Sequence, residues 1–116
     1  MTPTDILNRH IHAFNARDID ALMALFAPTA EWITGQSRIV GKHELREFFA
    51  GAFAELLPTL EVRTVLEAPD RVACEIAERL THDGATRVFN IAGFYTISDG
   101  RIVAAKIYRE GSAELD

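Results

Sequence analysis

Residues 89–108, FNIAGFYTISDGRIVAAKIY, decide how the rest of the chain is read. Two apolar-rich runs are joined by Ser98-Asp99-Gly100-Arg101. An Asp-Gly pair can place both central residues at positive φ, as a tight type I′ hairpin turn requires. Both runs are rich in β-branched and aromatic residues, which suit a pleated, half-buried surface. Neither face of this hairpin alternates cleanly with polar residues, which predicts a sheet covered on both sides.

Working outward, Asp83-Gly84 forms a second Asp-Gly turn, fed by a strand over 71–81, and Pro69-Asp70 turns the chain out of a strand over 59–68. Two-residue hairpins would fix the register. Glu75 then opposes Ala92, Ala77 opposes Asn90 and Arg79 opposes Val88. Across the second turn Ala92 opposes Ile107, Phe94 opposes Ala105 and Asn90 opposes Arg109. One face of the sheet would carry Glu75, Ala77, Arg79, Val88, Asn90, Ala92, Phe94, Val103, Ala105, Ile107 and Arg109. The other would carry Cys74, Ile76, Glu78, Phe89, Ile91, Tyr95, Ile97, Ile102, Ala104, Lys106 and Tyr108.

The first half of the chain is mostly helical in pattern. Thr2-Pro3-Thr4-Asp5 reads as a helix start, with Thr2 capping, Pro3 in the first turn and Asp5 returning to the cap. Ile6, Leu7, Ile11 and Phe14 then share one face, and His10 lies in that stripe. Asp18 caps a second short helix whose apolar face is Ile19, Leu22, Met23, Leu25 and Phe26, closed by Pro28. Glu31-Trp32-Ile33-Thr34 is a short strand stopped by Gly35. A third helix over 42–56 carries a wide stripe of Leu45, Phe48, Phe49, Ala52, Phe53 and Leu56 before Pro58. The order helix, helix, strand, helix, four strands predicts an α+β fold.

Composition narrows the function. At 116 residues this is one domain with one core. A net charge of -5 with no basic cluster predicts no nucleic-acid partner. No apolar run is long enough to span a bilayer and no signal peptide is visible, so no membrane association is expected and the location is read as cytoplasmic. The single cysteine, Cys74, excludes an intrachain disulfide framework. No Cys/His/carboxylate spacing suggests a metal site and no glycine-rich phosphate loop is present, so no cofactor is expected.

Residues 13–22, AFNARDIDAL, and 25–32, LFAPTAEW, then Gly41 ahead of Leu45, Phe48 and Phe49, and finally Asp99-Gly100-Arg101-Ile102 through Tyr108-Arg109-Glu110 resemble the nuclear transport factor 2-like superfamily, and within it the SnoaL-like domains. The resemblance runs through the whole chain, 1–116. It implies a cone-shaped α+β barrel, with three N-terminal helices packed on a strongly curved, mostly antiparallel sheet around a pocket. It also implies a homodimer, here expected through Ile76, Phe89, Ile91, Tyr95, Ile102 and Tyr108. The superfamily includes ketosteroid isomerases, polyketide cyclases, a dehydratase, epoxide hydrolases and non-catalytic binding domains, so fold alone does not choose.

Compared with the ketosteroid isomerase site, whose logic is an established example, the tyrosine position falls on His10, the base position near Thr34 and the acid position on Ala92. None of the three chemistries is kept. An epoxide hydrolase set of two carboxylates bracketing an arginine is incomplete, with Glu75 and Arg79 on the sheet and Asp18 and Asp20 at a helix start. SnoaL-like cyclases place an acidic general acid/base in the pocket. That role falls to Glu75, paired with His10 for proton exchange. Asn90 and Thr34 would hydrogen-bond a carbonyl, and Phe14, Trp32, Phe49, Phe53, Ala92, Phe94 and Ile107 would hold a small apolar ligand. Against these stand structural readings: a hydrogen-bonded core histidine at position 10, and a Glu75 neutralised by Arg79, Arg87 or Arg109. Two functions follow, a cofactor-free cyclase, isomerase or dehydratase, and a non-catalytic ligand-binding or dimerisation module.

Overall fold

The capping box at the N-terminus forms as its residue types dictate: Thr2 Oγ1 accepts from the Asp5 amide and Asp5 accepts from the Thr2 amide. The computed structural model describes residues 1–110, so 111–116 of the expected domain lie outside the described residues. Helix α1 spans Pro3–Asn15, α2 spans Ile19–Ala24, and α3 spans Lys42–Glu55. Six strands follow the order β1 Phe26–Thr34, β2 Ser37–Val40, β3 Thr59–Glu67, β4 Arg71–His82, β5 Ala85–Ser98 and β6 Arg101–Arg109. They form one sheet in the order β2-β1-β6-β5-β4-β3, antiparallel except for the β1–β6 pair. The expected α+β architecture with three helices is observed.

The structure departs from two local expectations. Helix α2 ends at Ala24, and Phe26 and Pro28 belong to β1. Pro28 sits at the irregular start of that strand, where the β1–β6 register shifts between Phe26 and Glu31, so its missing N–H is tolerated. Strand β2 is the second departure. Its four residues carry only Ile39 and Val40 as apolar members, and it is held by pairing with β1 across the Gly35-Gln36 turn, where Gly35 adopts φ 55°.

Between β4 and β5 the expected pairs form, including Glu75 with Ala92, Ala77 with Asn90 and Arg79 with Val88. Between β5 and β6 the Asp99-Gly100 turn starts the expected register, with Ser98 opposite Arg101 and Ile97 opposite Ile102. Val103 is then an extra residue on β6, and Thr96 pairs with Ala104. From that bulge onward Ala92 faces Tyr108 and Phe94 faces Lys106, not Ile107 and Ala105. A second bulge falls between Val62 and Thr64 on β3. Such bulges bend strands and sharpen twist, so the sheet can wrap an interior.

Across β4, β5 and the start of β6, the faces of the sheet are the reverse of those expected. Val72, Cys74, Ile76, Leu80, Ile91, Tyr95 and Ile102 are buried on the face the helices cover, whereas Glu75, Arg79, Asn90 and Phe94 are exposed. The physical reason is area. Helices α1 and α3 bring Ile6, Leu7, Phe14, Leu45 and Phe49 to the core, each worth about 1.5–3 kcal/mol when buried. They require the more continuously apolar side of β4 and β5. Ile76, Ile91, Tyr95 and Ile102 are therefore unavailable as the dimer surface expected of them. Helix α1 is also clasped to β3 by a strand-like pair of bonds: Asn15 Nδ2 donates to the Leu60 carbonyl and the Leu60 amide donates to Asn15 Oδ1, each at 2.8 Å.

Candidate functional site

The apolar stripe of α3 is wider than the core consumes. Leu45 and Phe49 are buried, while Phe48, Ala52 and Leu56 are half-buried because they roof a cavity. That cavity has a volume of about 810 Å³. Phe14 of α1, Trp32 of β1, Leu60 of β3, Leu80 of β4, Ile91 of β5 and Ile107 of β6 contribute to its wall, with Thr34 to Ser37 of the β1–β2 hairpin also lining it.

Its inward polar side chains are few: Glu78 of β4, Tyr95 of β5 and Arg109 of β6, besides the hairpin residues, while Lys106 and Tyr108 border it from strand β6 with their side chains on the outer face beside Phe94. Arg109 Nη1 donates to Glu78 Oε1, and the two side chains are only 18% and 9% exposed. The Val103 bulge puts Arg109 there, because it returns Ala105, Ile107 and Arg109 to the inner face. The Tyr95 ring lies across Gly93. A Cβ on that glycine would stand 2.7 Å from Tyr95 Cε1 and 3.0 Å from its hydroxyl oxygen. Only a residue without a side chain lets the ring take this position. Burial, with the nearby Cys74 and Glu78, holds the Tyr95 hydroxyl well above the ordinary phenol range. It is therefore a hydrogen-bond donor at neutral pH, and among the described residues no acceptor satisfies it.

His10 lies behind this wall, not in it. It is fully buried, with ring centroids of Tyr95, Trp32, Phe26, Phe14 and Phe49 between 5.5 and 6.4 Å away. Among the described residues neither imidazole nitrogen has a hydrogen-bond partner. Burial lowers its pKa to about 4, so the ring is neutral at physiological pH. The core-histidine reading is met in burial but not in hydrogen bonding.

Of the ligand-wall residues expected from sequence, Phe14, Trp32, Thr34, Phe49 and Ile107 line the cavity. Phe53 packs on Phe14 with Arg17 over its ring, outside the lining. Glu75, Asn90 and Ala92 border a separate depression with Arg63, Tyr108, Arg109 and Glu110, where Asn90 Nδ2 donates to Glu110 Oε2 at 3.1 Å. Phe94 is half exposed and stacks edge-on with Tyr108. Glu75 and His10 are thus not brought together. The carboxylate in the cavity is Glu78, and sequence reasoning missed it along with Tyr95 and Arg109. A signal existed, because in the row Cys74, Ile76, Glu78, Leu80 the glutamate is the only polar member of an apolar alternation. A charge in such a row is either paired or at a site.

Solved structures share the fold. An epoxide hydrolase/cyclase-like enzyme, SalBIII, with a role in pyran ring formation in the polyether salinomycin, is 19% identical with a TM-score of 0.86, over 93% of this chain and 90% of its own. TerC co-crystallised with polyporic acid is 20% identical with a TM-score of 0.85, covering 93% and 91%. A hypothetical protein with a ketosteroid isomerase-like fold from Catenulispora acidiphila, in complex with trimethylamine, is 18% identical with a TM-score of 0.83, covering 93% and 86%. No curated protein matches the chain. The SnoaL-like domain matches residues 7–105, spanning both the helical roof and the strands beneath it, and on that match this chain belongs to the SnoaL-like family.

Proposed function

We propose that this protein binds a small, largely apolar, carbonyl-bearing molecule in the cavity and moves a proton on it without a cofactor, as a cyclase or isomerase does. The supporting observation is an apolar chamber of about 810 Å³ in which the Tyr95 hydroxyl and the Glu78 carboxylate share one wall. Tyr95 donates to the carbonyl oxygen, where negative charge develops during enolisation. Glu78 accepts the α-proton and returns it, and Arg109 orients the carboxylate. Structural relatives with a cyclase-like role or a bound small molecule are consistent with this reading. A second reading, ligand binding without turnover, is favoured by the Glu78–Arg109 pair itself, since the guanidinium occupies a carboxylate oxygen that a base would need.

The two readings are separated by deuterium uptake at the α-carbon of β-tetralone in heavy water, followed by proton NMR. Exchange above the uncatalysed rate that is lost in Glu78→Gln supports proton transfer. Saturable binding without exchange leaves the pocket reading and removes the catalytic one. No binding by any enolisable ketone would sink both. A homodimer belongs to the same proposal, now placed on the outer face, where Val88, Phe94 and Tyr108 are each about half exposed.

A further inference from the structure

We propose that the molecule held in this cavity is an organic anion, an apolar body carrying a carboxylate that docks on Arg109. The inference rests on reading the cavity as a ligand site and specifies the ligand's charge. It starts from an imbalance in the wall. Among the described residues that line the cavity, Arg109 is the cation whose side chain lies on the inner face, and it offers more donors than its carboxylate partner Glu78 takes up, whereas Lys106 points away beside Phe94 and Tyr108 on the outer face.

A guanidinium offers five N–H donors, and among the described residues the Arg109 side chain spends its donors on Glu78 alone. Tyr95 adds a protonated hydroxyl. Donors outnumber charged acceptors in a chamber walled by rings. A neutral ketone accepts one or two of these bonds and leaves the fork of Arg109 half used. A carboxylate takes the unspent edge of the fork with two parallel bonds. A cationic ligand has no free partner, because the one carboxylate is already engaged. An inorganic anion would answer the charge but leave the apolar wall uncovered.

Glu78 then has a second role, as the internal competitor for Arg109. The resident carboxylate occupies part of the fork that the ligand needs, so it weakens anion binding and tunes it. Removing its charge should therefore tighten the complex, the reverse of what an ordinary contact residue does.

The test is calorimetric titration of the full chain with 2-naphthoate and with its neutral isostere 2-naphthamide. Naphthoate should bind at least about tenfold tighter. Arg109→Lys, which keeps the charge and the Glu78 partner but loses the fork, should erase most of that preference. Glu78→Gln should enlarge it. Equal affinities, or a tighter amide, would overturn the anion inference and leave the cavity as a ligand site. Weaker naphthoate binding in Glu78→Gln would overturn the competitor role. If neither compound binds while β-tetralone does, the anion inference fails alone. If none of the three binds, the site reading fails with it.

Discussion

The stability of a His10→Leu variant relative to the parent protein should rise as the pH falls. The imidazole is fully buried among the rings of Phe14, Phe26, Trp32, Phe49 and Tyr95, and among the described residues neither nitrogen has a partner. Burial takes its pKa from 6.5 to about 4. The folded state therefore resists a proton that the unfolded chain accepts. Between those two values the unfolded state binds more protons, so stability rises with pH there and is lost as the pH drops below 6.5, levelling off near 4. A tenfold difference in proton affinity between the folded and unfolded states is worth about 1.4 kcal/mol, which gives a full loss of about 3 kcal/mol and roughly 2 kcal/mol by about pH 5. Leucine cannot titrate and carries none of this loss. Near neutrality the comparison mixes relief of two orphaned polar atoms, about 1–3 kcal/mol, against ring contacts worth about 0.5–1.5 kcal/mol each. The decisive quantity is therefore the change between the two pH values. Urea unfolding of both proteins, followed by far-ultraviolet circular dichroism near neutrality and at about pH 5, measures it. His12, His43 and His82 lie outside the core and are common to both proteins, so they cancel. A stability difference that is the same at both pH values would refute the reasoning, because it would mean that His10 reaches water or a partner in solution.

Two further outcomes are expected. Gly93→Ala places a methyl group 2.7 Å from Tyr95 Cε1, and should cost about 1–3 kcal/mol in thermal unfolding while displacing the hydroxyl from the cavity. An unchanged melting curve with unchanged ligand affinity would mean that the ring does not lie over this glycine. Phe94→Asp on the outer face should convert the proposed dimer to a folded monomer in multi-angle light scattering. A dimer that survives the substitution would place the contact elsewhere, and a monomeric parent protein would remove it.

Much of the fold is written locally. The Thr2–Asp5 box, the Asp18 cap and the two Asp-Gly turns are short-range devices, and each forms where its residues stand. Strand β2 leaves little trace because its pairing with β1 is supplied by a neighbour, not by its own four residues. The site is less legible, for a specific reason. Pairing across a hairpin says which residues are opposite, but both faces of β4 and β5 are apolar enough to be the inner one, and only the helices choose between them. Phe14, Trp32 and Phe49 are legible because an aromatic residue on an inward stripe lines the cavity or the core on either choice. Glu75 and Asn90 are misplaced, and Glu78, Tyr95 and Arg109 missed, because their roles depend on that choice. Arg109 depends also on Val103, whose extra place in β6 nothing in the local sequence announces.

The Val103 bulge has a bearing on how this chain is compared with its relatives. A bulge adds one residue without lengthening the sheet, so it acts on β6 as a change of phase. Beyond it, the positions that look inward are those that would look outward in a strand without it. A relative whose last strand runs straight would present the structural equivalents of Lys106 and Tyr108 to its cavity, where this protein presents Ile107 and Arg109. Aligned without a gap at this point, the two would appear to differ in pocket chemistry at every position after 103, even with identical residues inside. Kinship in this part of the family is therefore better judged by counting from the bulge than by counting from the turn.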